Sequence, residues 1–572
     1  NNKISGLVVF LDRLQDAGNV GTIICGRIGV TDADLIENTY RKELAAFFLN
    51  SPAETSWPAA PSYEVTGSFE SFKAIASPSN VTTGVPVGET TEIRYGLDEC
   101  YKLVTNIDLL DGYNDTGFWI PIGTGNDNGF TGSFDGNGYT ISNVSVDKAR
   151  LVEELAALEG VDPGVTNYNT FVNAGLFSKV GINGRISNLK INNIIVHGAY
   201  ENGYVGSVAG QNYGTIERVE VLNGHLDTTG AAAVGGITAV NISQDATIDP
   251  DGEGSQPAEY VRYTARIDRC AAQVTMGIAK SDIPEEQIVT GVAGNVGGIV
   301  GTNHGGIVIY SYSMGDVYLN KTSAVNFGGV VGVNATKMFA TQDSKYLYNY
   351  AGAHVKDNYS LVVLKNGQET LTDATIGGII GSSQDVPALD PEDNGITAEE
   401  AGSANKVVGN YYNKENLNFV ETQPGVDPVV TVTYTGVGKH TVEGAVVAAA
   451  DKDYFIQGKT SNELKLQTTY LSHKNVERVW NEDTQEYVTK EEVVGWKFDV
   501  VWFMKENIHN GYPYLNFANI EVEDDLIDLS DGRTIKTYED LTKMKLDGNY
   551  VIAANIDAGN NIWIPIGNDK NP

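Results

Sequence analysis

Residues Gly297 to Leu319 read GGIVGTNHGGIVIYSYSMGDVYL: a glycine pair, a short apolar run, an asparagine, a turn, then alternating apolar and small residues. The opening phrase recurs as Gly175-Leu-Phe-Ser178, Gly206-Ser-Val-Ala209, Gly235-Gly-Ile-Thr238, Gly328-Gly-Val-Val331 and Gly377-Gly-Ile-Ile380. Taken in chain order, the starts are separated by 31, 29, 62, 31 and 49 residues, mostly one or two units of about 30 with insertions. Such a period marks stacked units, each burying its apolar side on its neighbours.

Each unit has a second half in register with the first. An apolar residue is followed by another three positions on and a third two further: Ile186, Leu189, Ile191; Ile216, Val219, Val221; Ile267, Cys270, Ala272; Ile307, Tyr310, Tyr312; and, earlier, Ile141, Val144, Val146. This spacing predicts a bend or bulge followed by a period-2 strand, and it lacks the continuation a helix needs. The triplets are expected to face inward, so that Ile307→Asp breaks the stack locally. Asn212, Asn241, Asn303 and Asn334 each lie six residues after the first glycine of their unit. Stacked at one corner they form a hydrogen-bonded ladder, while asparagine's preference for turns offers a simpler account of the same spacing.

The pattern resembles the GLUG-motif repeat proteins, many of them secreted or surface proteins of bacteria and archaea. Their G-G-[LIV]-[LIV]-G-x-N phrase stands here as Gly297-Gly-Ile-Val-Gly-Thr-Asn303, and Cys270 falls where that family often has cysteine. A lead-in, Trp119-Ile-Pro-Ile-Gly123 with Phe130-Thr-Gly-Ser-Phe134-Asp-Gly-Asn-Gly138, and an exit, Trp496 to Trp502 with Asn510-Gly-Tyr-Pro-Tyr-Leu515, complete the resemblance over roughly residues 90–517. It implies a parallel β-solenoid that displays or adheres, and no single enzymatic activity. The fold expected is mainly β: a right-handed parallel β-helix over 91–517, a small N-terminal α+β cap over 1–90, and the beginning of a second unit over 518–572.

Composition narrows the function. The 572 residues carry 73 acidic and 39 basic side chains, a formal net charge of −34, which opposes binding to nucleic acid. Sixty-four glycines and 29 tyrosines suit corners and strands better than helices. Three cysteines, Cys25, Cys100 and Cys270, make no disulfide framework or zinc site; a Cys25–Cys100 bridge is open, and Cys270 reads as a small core residue. No apolar run is long enough to span a membrane. The chain begins Asn1-Asn2 with no signal-peptide pattern, as expected of a processed chain or a fragment; the expected location is extracellular or at the cell surface.

In the N-terminal stretch, Leu7 to Phe10 and Val20 to Cys25 read as strands and Asp32 to Leu49 as a helix. Lys148 to Leu158 has helical composition within an insertion, and 243–262 and 382–406 are acidic excursions. Trp563-Ile-Pro-Ile-Gly567 repeats the lead-in 444 residues later. Either the parent polypeptide continues, or this half-unit docks on the first units of another molecule to build a filament head to tail.

No zinc-protease helix, nucleophile elbow or phosphate loop is present, and the seven histidines are scattered. Oxygen-rich loops offer weak Ca2+ ligands at Asp249, Asp251 and Glu253 and at Asp390 and Asp393, with solvated acidic loops as the simpler reading. Asn-x-Ser/Thr sites at Asn80, Asn114, Asn143 and Asn320 are the better glycosylation candidates; Asn241, Asn334 and Asn358 coincide with core or ladder positions. The function these features favour is an extracellular structural or adhesive protein, able to serve as a filament subunit, with surface glycans or a host surface as partners. The alternatives are a carbohydrate-active β-helix enzyme, using carboxylates such as Asp135 and Asp357, or a passive glycan-binding module.

Overall fold

The computed structural model describes residues 97–517 with interruptions, the longest at 160–172, 249–258, 278–290, 339–349, 366–373, 386–404 and 422–429. Outside that span it describes only the strands Glu64–Val65, Thr534–Ile535 and Val551–Ile552. The expected elements at 7–10, 20–25 and 32–49 lie outside the described residues, as does Cys25.

The chain is mainly β, and its strands assemble into parallel sheets. One unit shows how. Gly294–Gly297 enters a sheet that also holds Tyr204–Gly206, Ala233–Gly235, Val325–Gly328 and Ala374–Gly377, all parallel. The chain turns at Gly298-Ile299, and Val300–His304 joins a second sheet between Thr238–Ile242 and Val331–Ala335. It turns again at Gly305-Gly306, and Ile307–Ile309 joins a third, between Arg266–Asp268 and His354–Lys356. This third sheet carries the longest parallel run. Ten strands pair in succession from Glu64–Val65 through Cys100–Leu103, Ser133–Asp135, Arg185–Ala199, Thr215–Thr229, Arg266–Asp268, Ile307–Ile309, His354–Lys356 and Lys406–Asn413 to Tyr454–Lys459. Buried side chains from all three sheets form one apolar cluster, including Val205, Val234 and Val296, Val300, Val331 and Ile380, and Ile186, Ile216 and Ile267. Each such side chain contributes roughly 1.5–3 kcal/mol.

The glycine pairs are required by close approach. A Cβ on Gly298 would stand 2.0 Å from the carbonyl oxygen of Gly329, and one on Gly329 2.2 Å from that of Gly378. The bend in the +3 spacing is a residue in the left-handed region. Asn188, Arg218, Arg269, Tyr310 and Asp357, with φ between 50° and 55°, stack two positions after the inward residue of each unit, and Gly409 continues them at φ 70°. That one residue shifts the alternation by one, so the next inward side chain comes three positions on.

This column corrects one unit. Ile186, Ile216 and Ile267 are in register and fully buried, but their partner in the next strand is Val308, not Ile307. Ile307 pairs with Arg266, points to the outer face and is half-buried. The inward set there is Val308, Ser311 and Ser313, all at 0% exposure, while Tyr310 and Tyr312 are buried in a separate cluster. Ile141, Val144 and Val146 are core residues, but they pair with Ile191, Ile194 and Val196, one column further along the strand than expected.

The expected 91–517 span holds two kinds of structure. Parallel units run to Tyr454–Lys459. Beyond them comes a short helix, Ser461–Leu464, closed by a Thr460–Glu463 capping box, then an antiparallel hairpin, His473–Asn481 with Glu486–Val494. The strands Trp502–Phe503 and Tyr514–Leu515 pair antiparallel. The 243–262 excursion is also a hairpin at its base, Gln244–Ile248 with Glu259–Tyr263. Lys148–Glu159 is helical, with Leu151 packed on Phe118 and Ile120.

Candidate functional site

The interior carries two polar ladders. Asn212 Nδ2 donates to Asn241 Oδ1 (2.8 Å), Asn241 to Asn303 (2.8 Å) and Asn303 to Asn334 (2.9 Å); all four residues are fully buried. Each amide also ties the turn to the next strand, as Asn303 Nδ2 does with the Gly306 carbonyl at 3.0 Å. The second ladder replaces the apolar column that begins Leu189, Val219. Ser311 Oγ accepts from Cys270 N, Asn358 Oδ1 from Ser311 N, and Asn410 Oδ1 from both Asn358 N and Nδ2. Cys270 is a buried free thiol pushed up to about 12 by burial, a core residue as expected.

The outer face of the longest sheet changes character along its length. In one column Lys190 and Glu220 give way to Ala271, Tyr312, Tyr359 and Tyr411. The segment after Thr460 covers the aromatic end. Tyr312 stacks on Tyr359 (5.2 Å between centroids), Trp496 on Trp502 (4.4 Å) and Tyr470 on Trp496 (4.3 Å). Trp496 Nε1 donates to the Gly409 carbonyl (2.9 Å), and the Tyr359 hydroxyl to that of Pro513. The exit motif is therefore a clasp laid across the sheet. Beneath it Asp357 is buried, and burial lifts its carboxyl to about 7 although Lys356 and Lys497 draw it the other way. His354, beside Lys406 and Lys356, is held down at about 4, chiefly by burial.

The charged end carries a network absent from the sequence expectations. Arg185 and Arg218 pair with Glu217; Arg269 pairs with Asp268 through Nε (3.1 Å) and reaches Glu217 at 3.9 Å; Arg266 holds Asp268 through Nε (2.9 Å) and Nη2 (2.8 Å). A signal was available, because Ile216-Glu-Arg and Ile267-Asp-Arg place an acid and an arginine at one position of successive units. Nearby, the Asp227 carboxylate accepts from His197 Nδ1 at 2.8 Å, and this hydrogen bond holds the imidazole above its usual range.

Asp135 accepts from Asn137 N and Asn188 Nδ2 and shapes a turn. Its strand and that of Asp357 are five spacings apart in the sheet, about 24 Å. Glycoside hydrolysis uses carboxyls roughly 5–9.5 Å apart, so the two form no catalytic pair. Asn143 is half-buried between Asp108 Oδ1 (2.7 Å) and Asn193 Nδ2 (2.7 Å), and Asn320 Oδ1 accepts from Thr322 and Ser323. Asn80, Asn114, Asp249, Asp251, Glu253, Asp390 and Asp393 lie outside the described residues. Among the described residues no group of three or more His, Cys, Asp or Glu side chains converges on a metal position, and no helix is long and apolar enough to cross a membrane.

Two curated proteins resemble parts of the chain. Halomucin of Haloquadratum walsbyi is 32% identical over 155 residues, 27% of this chain and 1% of that protein. A putative Gly-rich membrane protein of Evansella cellulosilytica is 36% identical over 135 residues, 23% of this chain and 13% of that protein. The chain thus spans only a small part of either relative's length. No protein-family signature matches it, and no solved structure does.

Proposed function

We propose that the three sheets are the walls of one right-handed parallel β-solenoid of GLUG-like units, and that this body is a structural and adhesive element at the cell surface. The observation that carries the reading is the in-register stacking of one strand per unit in each sheet, locked along the axis by the buried asparagine ladder. Right-handedness follows from the strong preference of parallel crossovers for that hand. The described strands of these sheets hydrogen-bond to their neighbours on both sides, so the body resists bending and stays elongated, as a display element must. The ten-strand run alone gives a length of about 43 Å from nine spacings. The names of the two partial relatives, a mucin and a membrane protein, agree with a surface location, and the −34 net charge suits a solvated exterior. Head-to-tail self-association belongs to this reading through the second lead-in at Trp563 to Gly567.

Small-angle scattering and negative-stain imaging of the purified chain test it. An elongated particle, lengthening into fibres with concentration, is expected. A compact sphere would remove the solenoid, and isolated rods at every concentration would remove the filament.

A further inference from the structure

We propose that the charged network on the outer face is an oxyanion-binding site for the carboxylate or sulfate groups of an anionic polysaccharide. Among the described residues it sets four guanidiniums, those of Arg185, Arg218, Arg266 and Arg269, against two carboxylates, those of Glu217 and Asp268. This gathering of arginines stands in a chain with 73 acidic and 39 basic residues, where an average patch is negative. The carboxylates are almost fully buried, at 8% and 3% side-chain exposure, and act as anchors that fix the arginines. The arginines Arg185, Arg218 and Arg266 keep 28%, 22% and 28% side-chain exposure, so part of each meets solvent. The Nε donors of Arg185 and Arg218 are buried with no acceptor among the described residues.

Arg266 spends its Nε and Nη2 on Asp268, and the Nε of Arg185 and of Arg218 is buried, so the Nη ends of these guanidiniums remain to donate to a carboxylate or sulfate, and their fixing lowers the entropy lost on binding. The arrangement is also periodic. Arg185 and Arg266 flank Thr215 in one column, two strand spacings or about 9.6 Å apart, and Arg218 stands at the corner beside them, while Arg269, at 8% side-chain exposure, braces the two carboxylates from within. A polymer bearing an acid group on successive sugars meets several of these forks at once, and multivalent contact offsets the long-range repulsion of a −34 chain. The proposal deepens the adhesive part of the surface reading and rests on it only for access to such polymers.

The test is calorimetric titration of the intact chain with polygalacturonate, dextran sulfate and neutral dextran, with inorganic sulfate as competitor. Arg218→Asn is the first variant, because asparagine tolerates φ 50° and Asn188 holds the same place one unit earlier. Arg266→Gln is the second, and unchanged far-ultraviolet circular dichroism confirms that each is folded. Binding of an acidic polymer but not dextran, weakened about tenfold in each variant, is expected from loss of a charge-assisted hydrogen bond. Competition by sulfate would show that the oxyanion itself is recognised. No binding of either acidic polymer, binding unchanged in both variants, or binding of sulfate without polymer would each overturn the proposal. A failure to form fibres leaves these outcomes untouched, so the two readings fail separately.

Discussion

Replacing Asn303 by alanine probes the ladder at its centre. The side chain accepts from Asn241 Nδ2 at 2.8 Å and donates to Asn334 Oδ1 at 2.9 Å and to the Gly306 carbonyl at 3.0 Å. Alanine removes all three bonds and leaves their partners inside a fully buried column. A typical bond contributes roughly 1 kcal/mol net, and each buried group left unsatisfied costs about 1–3 kcal/mol. The other contacts of Asn241 Nδ2, to Ala265 and Ile307 carbonyls at 3.4 Å, recover part of this. A loss of about 3–5 kcal/mol follows. The matched control is Asn295→Ala, whose ring of contacts to Thr302 and Asn326 is only part-buried and exchanges readily with water. Its cost should stay near 1 kcal/mol. Guanidinium titration followed by tryptophan fluorescence measures both, and hydrogen exchange across 297–335 localises the effect. Equal losses in the two variants, or less than about 1 kcal/mol for Asn303→Ala, would refute the claim that the buried amides lock the units together.

Val308→Asp should unfold the units around it, since that side chain is fully buried, whereas Ile307→Thr should cost about 1 kcal/mol or less, because Thr215 already serves in its column two strands away; thermal unfolding of the pair decides the frame. Gly298→Ala would set a methyl 2.0 Å from the Gly329 carbonyl oxygen and should destabilise by about 3 kcal/mol, read as a fall in denaturation midpoint. Asp357 carries a pH signature. Its folded pKa of about 7 exceeds the ordinary aspartate value of about 4, so the native state holds the extra proton: the stability this supplies is whole below about 4 and is lost as pH rises through 7. Asp357→Asn, tolerated at φ 55°, should therefore flatten the pH dependence and raise stability at pH 8 by up to about 4 kcal/mol, as measured by denaturation at pH 4 and pH 8.

The sequence is legible where one face of a strand meets core and the other meets water. Ile186, Ile216 and Ile267 could be placed because polar residues such as Arg185, Thr215 and Arg266 precede them. At Ile307-Val308-Ile309 the alternation vanishes, because the inner face meets the core and the outer face lies beside the clasp. Only the left-handed residue Tyr310 fixes the frame there, and tyrosine does not announce that backbone as asparagine or glycine does. The asparagine ladder was legible from its constant six-residue offset. The aromatic column Tyr312, Tyr359, Tyr411 was hidden because insertions of unequal length separate its members, and its cover arrives only from Tyr470 onward. The arginine network was only half legible: the repeat of Glu217-Arg218 at Asp268-Arg269 is in the sequence, but each pair alone looks like an ordinary solvated pair until stacking brings them together.

Distances between spin labels along the third-to-last residue before the glycine corner test the stacking most directly. Asn173, Tyr204, Ala233, Asn295, Asn326 and Thr375 pair in that order on consecutive strands. Labels at Asn295 and Thr375, Tyr204 and Thr375, and Asn173 and Thr375 span two, four and five spacings, so distances near 10, 19 and 24 Å are expected, growing by about 4.8 Å per strand. Separations that track chain length instead, or that fail to rise in this order, would contradict the stacked arrangement from which the function has been argued.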